Sequence, residues 1–278
     1  MAARQVGTVG SLFRYPVKSM LGEQLPELVI GPGGTIGDRA WAMRELAGGR
    51  IVSAKKFPRA FELSAAYPIE TAAPIVTLPD GRTVAVDAPE APELISDALG
   101  VGIMMEHATA DQQLRASFDP QIVFGDVPLE QMLPTIMKYH AVDSGPDSWA
   151  LPKGTFFDAG QLHLVASGTL AHLAHLNPDS RFDVRRFRPN ILIDTGSEPG
   201  HFIEDQWMGG TLLIGPIEIT VTMPVIRCVM TTHPQTDLPR DLAILRTAAD
   251  HHEATVGVYA AINRAGRVRI GDPVMLVN

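Results

Sequence analysis

The chain has one cysteine, Cys228, in 278 residues. That excludes an intramolecular disulfide, and with no CxxC or Cys/His spacing beside it there is no ground for a structural zinc site. The nine histidines are scattered, and the adjacent pair His251-His252 would point apart on a helix. No GxSxG turn accompanies the serines, so the nucleophile elbow of a Ser-His-Asp triad is missing. Charged residues are sparse at 19%, and acids outnumber bases, 31 to 23, for a formal charge of −8. A surface of that sign repels nucleic acid and anionic membrane, so any bound anion must meet a local basic cluster. Long apolar runs are absent too: none approaches the run of about 18 residues that a membrane-crossing helix needs, and the opening MAARQVGTVGSL has no signal-peptide core. The expectation is a soluble, cytoplasmic protein that binds neither nucleic acid nor membrane.

What the chain has in quantity is apolar side chain and punctuation. Hydrophobic residues make up 45%, enough for a sizeable core, and 25 glycines with 22 prolines divide the sequence into many short segments. Strand-like runs dominate its first third: Val6 to Tyr15, Trp41 to Arg44, Glu62 to Pro68, and the pair Ile75 to Leu78 and Thr83 to Val86, joined by the hairpin signal Pro79-Asp80-Gly81-Arg82. Glu93 to Leu99 reads as a short helix stopped by Gly100. From 108 to 152 periodicity is lost among Asp119-Pro120, Gly125, Pro128, Pro134, Gly145-Pro146 and Pro152, and an irregular connection is expected.

Beyond it, Gln161 to Ala166 reads as a strand and Ser167 as the cap of a helix with Leu170, Leu173, Ala174 and Leu176 on one face, ended by Asn177-Pro178. Ile191 to Asp194 reads as a strand, Leu212 to Met223 as a hairpin turning at Gly215-Pro216, and Asp241 to His252 as a helix. Val256 to Ile262 and Val268 to Val277 read as closing strands. The fold class expected is mainly β with a few helices (α+β). An N-terminal β-barrel-like subdomain is placed over residues 1–107, and a linker with a second β-barrel domain over 108–278.

Three cationic points and one thiol stand out. Arg185-Arg186-Phe187-Arg188-Pro189-Asn190 is the densest basic patch, and Pro189 biases Arg188 towards an extended backbone. In an extended chain Arg186, Arg188 and Asn190 project to one side, a set suited to bidentate capture of phosphate or carboxylate, or else to salt bridges on a solvated face. Lys18 in Tyr15-Pro16-Val17-Lys18-Ser19 and Arg39 in Gly37-Asp38-Arg39-Ala40-Trp41 each place a cation where a strand meets a loop. Cys228 follows the best amphipathic strand, directly after Arg227, and a neighbouring cation favours the thiolate that a nucleophile or a soft metal ligand requires.

These residues carry a resemblance to a known family. YPVKSMLGE with Lys18 and Ser19, GDRAW with Arg39, the run Ser167 to Leu173, RFRPNILID, RCVMTTHPQTDLPRD and GRVRIGDPVMLV together resemble the MOSC family with its N-terminal β-barrel, in the branch of the mitochondrial amidoxime reducing component and its bacterial relatives. The likeness covers close to the whole chain.

The resemblance implies a pterin-based molybdenum cofactor (Mo-molybdopterin) with Cys228 as the metal ligand and catalytic centre. It implies cofactor contacts from Lys18, Ser19, Arg39, Ser167, Thr169, Arg188, Asn190 and Arg227, and reduction of N-hydroxylated small molecules. Since one cysteine cannot ligate an iron–sulfur cluster, electrons are expected from a separate electron-transfer protein. The competing expectation is a carrier of the cofactor or its sulfur without reductase activity.

Overall fold

A computed structural model describes residues 3–69, 72–117, 119–140, 148–198 and 200–277. The chain opens with a long strand, β1 (Ala3–Arg14), then β2 (Glu23–Leu25), β3 (Glu27–Gly31), β4 (Gly34–Thr35), β5 (Trp41–Glu45), β6 (Ser64–Ala66), β7 (Ile75–Thr77) and β8 (Thr83–Ala85). β7 and β8 form the expected hairpin, with Thr77 opposite Thr83. Gly81 adopts φ +85° in its turn, and the Asp80 carboxylate accepts the Arg82 amide at 3.0 Å. Helix α1 (Ala91–Leu99) buries Ala91, Ile95 and Leu99 and stops at left-handed Gly100, and β9 (Ile103–His107) then pairs with β5. Val17, Met20, Met43, Phe61, Leu63, Val76, Ile95 and Ile103 make one core among these elements.

The stretch expected to be irregular contains regular structure. β10 (Arg115–Ser117), α2 (Pro120–Phe124), α3 (Leu129–His140) and β11 (Ser148–Ala150) lie within it, β10 and β11 being antiparallel partners. Asp119 caps α2 by accepting the amides of Gln121 and Ile122, with Pro120 in the first turn. In α3 the apolar residues Leu129, Met132 and Ile136 recur at helical spacing and pack with Phe124 and Leu245. Pro134 sits inside α3, and this breaker masks the period in the sequence. The Gly145-Pro146 signal lies outside the described residues.

The remaining elements are β12 (Leu162–Ala166), α4 (Ser167–Leu176), α5 (Val184–Phe187), β13 (Ile191–Asp194), β14 (Thr211–Ile214), β15 (Ile217–Ile226), α6 (Ala243–His252), β16 (Thr255–Arg264), β17 (Gly266–Arg269) and β18 (Pro273–Val277). Seven strands close a barrel in the order β13-β12-β16-β15-β14-β18-β1, β1 returning to β13 with Leu12 opposite Ile191. Alternate residues of each strand fill it: Leu162 and Leu164, Ile191 and Ile193, Leu212 and Ile214, Ile217, Ile219 and Val221, Val258 and Ala260, Val274 and Leu276. Closure removes the free edges that a sheet of this size would otherwise expose.

Two readings change in this half. Val268 to Val277 is two strands, because β17 leaves to pair with β3, Val268 facing Leu28, before β18 inserts between β14 and β1. Ser167 is the first helical residue rather than the cap; Ala166 stands at the cap position with extended backbone.

Barrel register sets up the site. Leu12 faces Ile191, Ile191 faces Leu164, Leu164 faces Val258, and Val258 faces Pro224, a single row around five strands. On one side of that row the chain runs on to Tyr15, Asn190, His163 and Tyr259, which therefore gather at one rim. Arg227 lies past the other side of the row, just after β15, and reaches back to Phe187 O.

Candidate functional site

Where β1 ends, residues 15–18 zip against 39–41. Arg39 N donates to Tyr15 O at 2.7 Å, Trp41 N to Pro16 O at 3.1 Å and Lys18 N to Trp41 O at 2.8 Å. This pairing sets Lys18 beside Arg39 although 21 positions separate them in sequence. Asp38 is the hub: its Oδ1 accepts Tyr15 N at 2.7 Å, and its Oδ2 accepts Asn190 Nδ2 at 3.0 Å and pairs with Arg39. The Asp38 side chain is wholly buried, so these three donors are what make its charge tolerable.

The basic segment does not form an extended edge. Val184–Phe187 coils into α5, capped by Asp183, whose carboxylate accepts Arg185 N at 3.0 Å. Arg188 then takes the left-handed conformation, φ +55°. The turn separates the residues expected to act together. Arg186 points into the protein, Arg188 lies over the Tyr15 ring at 4.2 Å, and Asn190 serves the interior, pairing reciprocally with His163. Ser19 and Arg39 are also left-handed, at φ +71° and +48°. Non-glycine residues held there cost about 1–3 kcal/mol each and persist where the surroundings over-determine them.

The Tyr15 ring packs against both guanidinium groups, Arg188 at 4.2 Å and Arg39 at 4.9 Å, and the Phe61 ring lies 5.4 Å from Arg188. Burial pushes the Tyr15 phenol up to about 12, against the pull of Arg188 and Arg39, so it stays a neutral donor. Burial likewise drives Arg188 down to about 10, with Tyr15 opposing and Arg39 adding to the fall. The Lys18 ammonium donates to Phe156 O at 2.6 Å and to Asp158 Oδ1 at 2.7 Å, and Lys55 approaches the other oxygen of Asp158 at 3.7 Å. Burial works against an ionised Asp158, but the two lysines more than offset it and hold its carboxyl well below the usual range. Five cations, Lys18, Lys55, Arg39, Arg188 and Arg227, thus face two carboxylates, Asp38 and Asp158, an excess of three positive charges in an acidic chain.

Cys228 stands half-buried between the end of β15 and a short 3-10 turn, Val229–Thr232. Its carbonyl accepts both the amide and the hydroxyl of Thr231, at 3.1 and 3.0 Å, which pins the cysteine backbone. Arg227 donates from Nη2 to Phe187 O at 2.7 Å, joining the Cys228 segment to the Arg188 segment. Burial lowers the Arg227 pKa, with Cys228 and Tyr259 opposing, and burial of Lys55 is outweighed by its neighbours, Asp158 first, which raise it. Two guanidinium nitrogens, Arg188 Nη1 and Arg227 Nε, are buried with no hydrogen-bond partner, as is His163 Nε2. Buried donors are normally paired, so open guanidinium nitrogens on segments joined to that of Cys228 have capacity left for an anionic partner.

The structure thus brings together Lys18, Ser19, Arg39, Arg188, Asn190, Arg227 and Cys228. Ser167 and Thr169 engage a different network. Ser167 Oγ donates to Gly196 O at 2.8 Å and accepts Thr195 N at 3.0 Å, while Thr169 Oγ1 pairs with buried Glu204 and accepts Ile203 N at 2.9 Å. Sequence reasoning missed Tyr15, Lys55, Asp158, His163 and Tyr259. Of these only Tyr15 left a trace, its place beside Lys18; the others meet through pairings such as His163 opposite Tyr259, which no local spacing reveals. Gly160 marks one such approach: a Cβ there would stand 2.3 Å from the Tyr259 ring.

Fold and site define a closed β-barrel protein with buried cations, two of them keeping open nitrogens, on segments joined to one half-buried thiol. Sequence profiles agree: the chain belongs to the MOSC family, matching the MOSC domain over residues 152–275 and the MOSC N-terminal beta barrel domain over 6–116. It is similar to mitochondrial amidoxime reducing component 2 of Homo sapiens, 27% identical over 301 aligned residues that take in 98% of this chain and 84% of that protein. Mitochondrial amidoxime-reducing component 1 of Homo sapiens is 27% identical, with 99% and 84% covered, and that of Mus musculus 28%, with 99% and 83%. Among solved structures, the YUAD protein from Bacillus subtilis overlaps 99% of this chain and 97% of its own at 11% identity and a TM-score of 0.49. Among the described residues, no helix is long and apolar enough to cross a membrane.

Proposed function

We propose that this protein holds a molybdenum cofactor at the barrel rim and with it reduces N-hydroxylated small molecules, a class that includes the amidoximes in the names of its relatives. The observation that carries the reading is the pair of buried, open donors Arg188 Nη1 and Arg227 Nε on segments joined to each other and to Cys228. Lys18, Arg39, Arg188 and Arg227 would grip the phosphorylated pterin, with the Ser19 hydroxyl beside them, and the Cys228 thiolate is a soft ligand suited to the metal. Asn190 acts through Asp38, holding the acid that orients Arg39. Ser167 and Thr169 fix the junction of β12 and α4 and stay outside the holding set.

When bound, the cofactor supplies the two-electron chemistry that converts N–OH to N–H and water. The chain's own residues do the rest. Neutral Tyr15 spaces two guanidinium groups that would otherwise repel, and Asp158 raises the pKa of Lys55 and opposes, without cancelling, the lowering that burial imposes on Lys18. The electrons would come from a separate protein, since the one thiol in these 278 residues cannot hold an iron–sulfur cluster. A reducing compartment such as the cytoplasm keeps Cys228 available as a ligand.

Expression in a host that makes the cofactor, with molybdenum per chain measured by mass spectrometry and benzamidoxime reduction followed with an artificial donor, tests the reading. Near-stoichiometric metal, its loss in Cys228→Ala and steady turnover are expected. A folded wild type without molybdenum overturns the proposal. Metal without turnover, together with a persulfide on Cys228, points instead to a carrier.

A further inference from the structure

Arg186 is fully buried, yet no ion pair forms to it among the described residues. Its guanidinium donates to four backbone carbonyls: Arg181 O from Nε at 3.0 Å, Thr231 O and His233 O from Nη1 at 3.1 and 3.4 Å, and Pro239 O from Nη2 at 2.8 Å. Burying a cation against carbonyl dipoles alone is costly, and lysine, a point charge on a flexible stem, cannot reproduce the fork that reaches four acceptors at once.

The four carbonyls lie on two segments. One is the approach to α5, whose far end carries Arg188. The other follows Cys228 and includes Thr231, whose amide and hydroxyl both bind the Cys228 carbonyl. Arg227 makes the return link, donating to Phe187 O at 2.7 Å. Each segment therefore sends an arginine into the backbone of the other, and the two links flank the half-buried thiol.

We propose that Arg186 is a positioning residue: through Thr231 it fixes the Cys228 sulfur relative to the open cation of Arg188, so that one ligand can reach both. This rests on the reading that both groups hold the same cofactor. It concerns a residue that the sequence pattern would place in the anion grip itself and that the structure removes from it.

Because Cys228 is the only thiol, its alkylation by iodoacetamide in the cofactor-free full chain, read by intact mass, reports its setting directly. Arg186→Lys is expected to speed alkylation by about tenfold through local opening, at an unchanged near-ultraviolet circular dichroism spectrum. Thr231→Val should speed it less, and Arg185→Lys, next door but outside the clamp, not at all. In metal-loaded protein Arg186→Lys should shift the spectrum of the metal centre while binding remains. A folded Arg186→Lys with the wild-type alkylation rate overturns the proposal; if that variant does not fold, a wild-type rate in Thr231→Val overturns it. Should the wild type take up no molybdenum, the functional reading falls and the alkylation rates still decide the clamp. If molybdenum binds and neither rate nor spectrum moves in Arg186→Lys, the clamp falls and the function stands.

Discussion

Arg185 and Arg188 belong to one basic run and have opposite fates. Arg185 lies on the outer side of α5, where Asp183 accepts its Nε and Nη2 at 2.9 and 2.8 Å and Asp237 its Nη1 at 2.7 Å. Those hydrogen bonds, from Asp183 first and Asp237 next, raise its pKa. Arg188 is buried, sits on aromatic rings, and keeps one nitrogen open. A saturated cation on the surface has nothing left to offer a ligand, and an unsaturated one in the interior is costly to keep unless a ligand completes it. Charge density in the sequence is the same for both; what differs is which side of a four-residue helix each falls on.

The largest test of this contrast is at the hub that makes the buried charges tolerable. Asp38→Asn leaves Arg39 without its carboxylate, and breaking a buried pair should cost about 3–5 kcal/mol in denaturant unfolding. A loss as small as that of a surface pair would mean the cluster is effectively solvated. Next, Arg188→Met should stabilise the cofactor-free chain by about 1–4 kcal/mol while molybdenum content falls, the two effects moving in opposite directions. Thermal unfolding without cofactor and metal analysis with it check both, and a destabilised apo-protein that keeps its metal would break the comparison.

Third is a dependence on pH. Burial, followed by the charges of Arg227 and Arg39, holds His163 well below its ordinary value of 6.5, so below that pH the unfolded chain binds a proton that the folded one refuses. Its contribution is complete above pH 6.5 and lost as pH falls, by up to about 1.4 kcal/mol per pH unit. His163→Gln should flatten the acid limb of a urea-midpoint profile by one proton's worth; His172 and His233, lowered in the same direction, leave the rest. The smallest effect belongs to the surface: Arg185→Ala should change stability by less than about 1 kcal/mol, shrinking further in salt, with no change in metal content.

Much of the fold was legible where local rules decide it. The β7–β8 turn, the stop of α1 at Gly100 and the β14–β15 hairpin at Gly215-Pro216 each follow from turn chemistry within a few residues. Helix α3 was hidden because Pro134 breaks its period, and tertiary packing of Met132 and Ile136 overrides that local penalty. In the site, Lys18, Arg39 and Cys228 were visible as types in context. The bend at Arg188 was not, because the proline after it favours extension and only the closed rim, with Tyr15 beneath the guanidinium, holds the left-handed turn. Asp158 had no signal at all: its partners Lys18 and Lys55 lie more than a hundred positions away.

Closing the barrel with β1 also sets an order in time. β1 pairs with β13 and β18, and β18 is some 260 positions further along the chain. On a ribosome adding about 5–20 residues per second, β1 waits roughly ten seconds to a minute for its last neighbour, with one hydrogen-bonding edge open throughout. In that interval Val9 and Leu12 have no completed barrel interior to enter, and the nascent chain is most exposed to pairing with another copy of itself.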